Sequence, residues 1–447
     1  MKVKLIVLFA AIVFAANAMS QSINLRFSTY FYGWQRIDSL SDESSAKTTH
    51  IRGYQNLLFS ISGSKWSFNT LASTEEDLTG KVDSSGLNYR IYNAYISGRN
   101  LFDMLDLKLG RQNLFAGVGR GTLDGLFLKL KAGKNKEYQL AVYGGALAPY
   151  TYDFENYPKI DENYMAGAHF SYYGVKDLMV GLSYSMKKTV PPTYSALRMD
   201  SNFVASTREI ALDGPVQQLA GLDFNYTYKV KHNFYGKAYY DIGMKNLYRG
   251  EFNARIRLMN NLTFSAGYLY RQPLLSYNSI FWVFNTSKKT QEIEGGFDYL
   301  LKNGMNVYAR VGAAIFEKGD NQASTVNSSD KNSSIKIQAG FSHPMYGINF
   351  TRYMGYAGES DGVSGYYQRQ LVDDKLSTSL SVSYSRYRLG DYETDKVNSL
   401  AGALGFTFRP MPQVSIDAQG QMLINRIYKT DVRVLVGLNY WLFKNLK

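Results

Sequence analysis

The sequence predicts an all-β chain that crosses a membrane as an antiparallel up-and-down barrel, with an even strand number of about 16 to 22. Three observations lead there. Apolar residues recur at every second position in segments of about 9 to 12 residues, the length a tilted strand needs to cross a bilayer. The connectors alternate between short and long, the rhythm of a barrel whose two chain ends lie on the periplasmic side. The 37 tyrosines cluster near segment ends, where amphipathic rings favour the headgroup boundary.

The chain opens with MKVKLIVLFAAIVFAANAMSQS, in which Lys2 and Lys4 precede an apolar stretch from Leu5 to Ala16. A charged start, a short apolar core and small residues after it predict a signal peptide over residues 1–20, cleaved after Ala18 or Ser20. The alternative, an N-terminal anchor, needs about 20 apolar residues. The rest, 21–447, is predicted to be one outer-membrane barrel domain. INLRFSTYFY begins a strand at Ile23, which leaves no room for a plug and argues against an energised, plugged transporter.

Period-two alternation runs through the chain. In LYRGEFNARIRL, Tyr248, Phe252, Ala254, Ile256 and Leu258 are predicted to face lipid, and Arg249, Glu251, Asn253, Arg255 and Arg257 the lumen. NLTFSAGYLYR sets Leu262, Phe264, Ala266, Tyr268 and Tyr270 against a face that ends in Arg271. VRVLVGLNYWLF carries Val432, Val434, Val436, Leu438, Tyr440 and Leu442 on one side. A soluble sandwich also alternates, but its strands are usually about 5 to 6 residues long. Aromatic girdles are predicted from Tyr30, Phe31 and Tyr32; Tyr150 and Tyr152; Tyr172 and Tyr173; Tyr226 and Tyr228; and Tyr440, Trp441 and Phe443. Strand preference for tyrosine contributes as well.

The formal charge is +13, two units of which lie in the predicted signal. No compact Lys/Arg run accompanies it, so nucleic acid is not an expected partner. A mean hydropathy of −0.27 argues against a bundle of membrane helices. The absence of cysteine removes lipid anchoring through a thiol, thiolate zinc sites and iron–sulfur clusters. His50, His169, His232 and His343 are scattered, with no HExxH pair, so no metal, cofactor or enzymatic activity is expected. His169 reads either as a base or, more simply, as a wall residue.

Candidate pore-lining charges lie on neighbouring segments. Arg249, Arg255 and Arg257 stand beside Glu251, Arg271 follows, and Glu292, Glu294 and Asp298 share one face of QEIEGGFDYL. If the basic and acidic faces oppose each other, they set a transverse field across a constriction. The plainer alternative is salt bridges that stiffen the wall. The long connector 188–216 either folds inward or covers the barrel mouth.

Residues 107–130, LKLGRQNLFAGVGRGTLDGLFLKL, hold five glycines between Gly110 and Gly125. They fit no nucleotide loop: the GxGxxG spacing is broken, no Gly-Lys-Ser/Thr occurs, and strand residues follow. Leu105, Leu107 and Leu109 make one lipid face, and Leu126, Leu128 and Leu130 the next, so the glycines read as a flexible hairpin loop. The segment resembles the Gly-Arg-Gln hairpin of bacterial outer-membrane porins and alginate-export-type barrels, on Gly110, Arg111, Gln112, Asp124 and Gly125. It departs from that pattern at the end of the chain, where Lys444, Asn445, Leu446 and Lys447 follow Phe443 in place of a terminal aromatic. By parity Arg111 would face lipid, at a cost of about 2 to 4 kcal/mol at mid-bilayer. A bulge at Gly110 that turns Arg111 inward is therefore expected, with Arg111, Arg120 and Asp124 near the pore mouth; the alternative is a place at the outer rim.

The expected function is passive diffusion of small polar, preferably anionic, solutes through a porin-like channel in the outer membrane. The expected partners are outer-membrane lipids and those solutes, with the barrel either a monomer or a homo-trimer. The competing reading is a structural sheath or export duct that encloses a partner such as an electron carrier, or passes a polysaccharide.

Overall fold

A computed structural model describes residues 22–38, 49–80, 86–149, 151–152, 159–190, 193–199, 203–211, 214, 216–272, 289–317, 332–355, 358–372, 375–388 and 396–445. The expected signal peptide, Tyr150 and most of residues 272–290 and 317–333 lie outside them.

The strands are β1 (Ser22–Asp38), β2 (Thr49–Ser62), β3 (Trp66–Asp77), β4 (Asn88–Leu101), β5 (Leu105–Ala116), β6 (Gly119–Ala132), β7 (Tyr138–Leu147), β8 (Asn163–Tyr172), β9 (Leu178–Thr189), β10 (Tyr194–Met199), β11 (Ala205–Ile210) and β12 (Gln217–Tyr228). They continue as β13 (His232–Asp241), β14 (Asn246–Arg257), β15 (Leu262–Arg271), β16 (Thr290–Leu300), β17 (Asn306–Phe316), β18 (Ser333–Ser342), β19 (Tyr346–Gly355), β20 (Gly358–Leu371), β21 (Leu376–Arg388), β22 (Val397–Met411), β23 (Val414–Ile424) and β24 (Tyr428–Asn445). Twenty-two of them form one antiparallel sheet in chain order. The sheet closes where β1 pairs with β24, from Ser22 opposite Asn445 to Asp38 opposite Tyr428, so the wall has no unpaired edge. The remaining two, β10 and β11, form a separate hairpin within connector 188–216. Among the described residues that hairpin pairs with no wall strand.

Alternation sorts the two faces as expected. Leu182, Leu222, Phe252, Ile293, Val311, Leu404 and Leu438 are exposed on the outer surface, where lipid replaces water, while Ser183, Asp223, Glu251, Glu294 and Asn439 face the lumen. The girdle reading needs correction at β1. The Tyr30 hydroxyl donates to Asn439 Oδ1 at 2.7 Å inside the barrel, Tyr32 shares its parity, and only Phe31 points out. Trp441 likewise turns inward, with the Arg26 guanidinium 5.4 Å above its ring. A second correction falls on Tyr248. The β13–β14 register shifts between Tyr239 and Tyr240, and this bulge leaves the Tyr248 ring 5.9 Å from that of Tyr239, a lumen residue, rather than in lipid.

The wall is not smooth everywhere. Gly110 pairs with Gly125, and Gly125 pairs with Gly145, so three glycines lie in line across β5, β6 and β7. Gly110 has φ +119° and Gly145 φ +159°. A Cβ at Gly110 would meet the Ala94 carbonyl, and one at Gly125 the Gly144 carbonyl. Only glycine allows the backbones this approach. Along this line the sheet creases, and the upper part of the β5–β6 hairpin leaves the wall for the lumen.

Candidate functional site

Beyond the crease the hairpin stays regular to its tip. Ala116 pairs with Gly119, and the two-residue turn Gly117–Val118 has φ +59° at Gly117, as a type II′ hairpin turn requires. The expected flexible glycine loop is thus an ordered hairpin, and its glycines serve the crease, the turn and close packing.

One face of the hairpin is apolar. Leu114, Ala116 and Leu123 are buried against Tyr143, Leu147 and Met165 of β7 and β8, with Phe127 beside them. At the tip, Val118 enters a pocket of Leu219, Tyr239 and Tyr248. Its backbone N–H donates to Ser183 Oγ at 3.1 Å, and the Tyr239 hydroxyl donates to the Gly117 carbonyl at 3.5 Å. Gly221 makes room, since a Cβ there would meet Val118 Cγ1 at 2.5 Å. Burying a valine is worth about 1.5 to 3 kcal/mol, so the tip is anchored along an arc from β7 to β14.

The other face holds three cross-strand pairs: Arg111 with Asp124, Asn113 with Thr122, and Phe115 with Arg120. At the base, Arg111 Nε donates to Asp124 Oδ1 at 2.8 Å, and Nη2 donates to Oδ2 at 2.8 Å. Arg111 Nη1 donates to the carbonyls of Ile91 at 3.1 Å and Tyr152 at 2.8 Å. The Ile91 N–H donates to the same Tyr152 carbonyl at 3.0 Å. Residues 151–152 therefore cover the gap that opens beside β4 when the hairpin turns inward, and the guanidinium seals it. Arg111 is 2% exposed. The expectation of a mouth-lining Arg111 is corrected: it lies within the wall, and the β5–β6 register passes Gly110 without a bulge. Parity holds and the sheet bends, carrying the outward face of β5 under the 151–152 segment. Asp124, with a side chain 15% exposed, is committed to Arg111, whereas Arg120 is exposed on the hairpin.

The remaining charges pair along the wall. Glu251 accepts Lys237 Nζ and Arg249 Nη2, each at 2.8 Å, and Asn253 donates to it at 2.9 Å. Arg271 pairs with Glu292, Glu294 with Lys336, and Asp298 with Arg310, each at 3.0 Å. Opposed basic and acidic walls are not what forms. β14 and β16 flank β15, about 10 Å apart on one arc, and their charges neutralise neighbours. Sequence reading missed Lys237, Arg310 and Lys336, although each has lumen parity in its strand. Arg120, Arg255 and Arg257 are exposed and have no ion pair among the described residues. His169 lies beneath the hairpin tip, its Nε2 3.8 Å from Asp223 Oδ1, as a wall residue. Among the described residues no three His, Asp or Glu side chains converge as metal ligands.

A barrel of 22 strands is about 44 Å across at the backbone, from a strand spacing of about 4.8 Å and a tilt of about 40°. A two-stranded hairpin is about 10 Å wide. Among the described residues it narrows one side of the lumen and leaves the rest open, facing arcs such as β21, where Ser379, Ser381, Ser383 and Ser385 line the wall.

No protein-family model and no curated protein matches the sequence. Its structure is similar to that of a point mutant of the ferric enterobactin receptor of Pseudomonas aeruginosa, at 10% identity over 93% of this chain and 80% of that one, with a TM-score of 0.55. Looser likenesses are the outer membrane protein OpdK of Pseudomonas aeruginosa (8% identity, 95% of this chain and 98% of that one, TM-score 0.42) and OccAB3 of Acinetobacter baumannii (9%, 94% and 99%, 0.41). The first likeness is one of fold: the chain is a closed transmembrane β-barrel.

Proposed function

We propose that this protein is a porin-like outer-membrane channel through which small polar solutes diffuse passively, with anions preferred. The observation that carries the reading is the β5–β6 hairpin: it lies inside the barrel, narrows the lumen from one side, and exposes Arg120 to the solute path. The anion preference is supported by charge pairing. Glu251, Glu292, Glu294 and Asp298 each have a cationic partner, while Arg120, Arg255 and Arg257 add positive potential to the path. Secretion through the signal at 1–20 belongs to the same reading, and N-terminal sequencing of the mature protein tests it; a retained Met1 refutes it.

Planar-bilayer recording with the purified barrel is the direct test. Discrete conductance steps and a reversal potential displaced toward chloride in a potassium chloride gradient are expected. Absence of steps removes the channel reading, and a potassium preference removes the anionic part of it. The breadth of the lumen favours one other reading, a duct or sheath around a polymer or partner protein. Under it, steps are absent and a partner co-purifies in fixed stoichiometry.

A further inference from the structure

Of the apolar side chains on the inward hairpin, Leu114, Ala116, Val118 and Leu123 are all buried, but Phe115 is 81% exposed. Lipid does not account for this, because the hairpin lies inside the barrel. Directly opposite is Arg120, exposed and without an ion pair among the described residues. On the next pair of the same face, Thr122 Oγ1 donates to Asn113 Oδ1 at 2.9 Å, which engages the amide oxygen of an exposed Asn113 and reserves its Nδ2 donors for other acceptors. Successive pairs on one face stand about 7 Å apart and partners about 5 Å apart. A ring face, a guanidinium fork and an amide donor thus share a patch the size of one small organic ion.

We propose that Phe115 and Arg120, assisted by Asn113, form a solute-binding platform selective for anions that carry an apolar planar face. The ring covers the apolar face of the solute, and the guanidinium takes its anionic group through paired N–H donors. A simple inorganic anion gains only the second contact, and a neutral aromatic only the first. The proposal rests on the channel reading for its access route, and it deepens that reading by naming a solute class and the residues that select it.

The test uses three probes: benzenesulfonate, methanesulfonate and benzyl alcohol. Binding to the full-length barrel in detergent micelles is measured by calorimetry, and block of chloride current by the same probes is measured in bilayers. Benzenesulfonate is expected to bind tightest. Phe115→Ala weakens benzenesulfonate about three- to tenfold and leaves methanesulfonate unchanged. Arg120→Gln weakens both sulfonates, and Phe115→Tyr retains the preference. Equal affinity for the two sulfonates, or a Phe115→Ala effect of equal size on both, overturns the platform. If calorimetry shows the benzenesulfonate preference while bilayers show no conductance, the platform stands and the channel reading fails. Conductance without the preference leaves the channel reading standing and overturns the platform.

Discussion

Arg111 and Asp124 stand directly opposite each other on β5 and β6 and are joined by two parallel hydrogen bonds of 2.8 Å, with the arginine side chain 1% exposed. The pair sits where the sheet leaves the wall, and the remaining guanidinium donors hold the segment that covers the gap. Removing one member of a buried ion pair costs about 3 to 5 kcal/mol. Arg111→Ala is expected to lose that much, read as a lower midpoint in heat-modifiability gels. Arg111→Lys recovers little, because one ammonium cannot span the carboxylate and two carbonyls. A double Arg111→Ala, Asp124→Ala barrel is expected to be more stable than the single arginine variant; the opposite order would refute this account of the seam.

The tip anchor predicts a conductance change. Val118→Asp places a carboxylate among Leu219, Tyr239 and Tyr248, where an unpaired charge costs several kcal/mol. The tip then detaches, and single-channel conductance and its noise increase. The chain has no cysteine, so a Val118→Cys, Leu219→Cys pair can be oxidised cleanly. The oxidised pair is expected to keep wild-type conductance and quiet traces. A Val118→Asp barrel with unaltered conductance would show that the tip does not border the path.

Glycine substitutions separate crease from wall. Gly125→Ala drives a methyl into the Gly144 carbonyl and Gly110→Ala into that of Ala94, so both are expected to lower the yield of folded barrel. Gly420→Ala, with open space around its Cβ and no positive φ, is the matched control and folds like wild type. Band-shift assays after refolding read the difference.

Ion selectivity follows the pairing. Glu251→Gln leaves Lys237 and Arg249 without their shared carboxylate and is expected to move the reversal potential further toward chloride. Arg255→Glu with Arg257→Glu is expected to move it toward potassium. Equal reversal potentials in all three barrels would mean that this arc does not border the ion path.

The barrel is legible in the sequence because its outer face is written at every second residue, as in Leu126, Leu128 and Leu130. The inward hairpin is not, for a geometric reason. Gly110, Gly125 and Gly145 are far apart in the chain and become one line only through strand register. The parity of Arg111 is legible too, but alternation tells which side of the sheet a residue occupies and nothing about where the sheet bends. Tyr248 escapes for a related reason: one extra residue in β14 reverses its facing. The charges on β14 and β16 can be found by alternation, but that Lys237, Arg310 and Lys336 reach them depends on the register of β13, β17 and β18, which chain order alone does not fix.

The docked hairpin also carries a consequence for the order in which the barrel matures. Arg111 reaches Tyr152, 41 residues on, Val118 reaches Ser183, 65 residues on, and Tyr239 reaches back 122 residues to Gly117. Contacts across such separations form after local hairpins, because chain entropy opposes the longer closures. The first half-dozen strands can therefore zip together with the hairpin unattached, and its resting place is not complete until β14, which carries Tyr248, has joined the sheet. The width of the finished pore is a late product of maturation, set by strands that arrive more than a hundred residues after the element they hold.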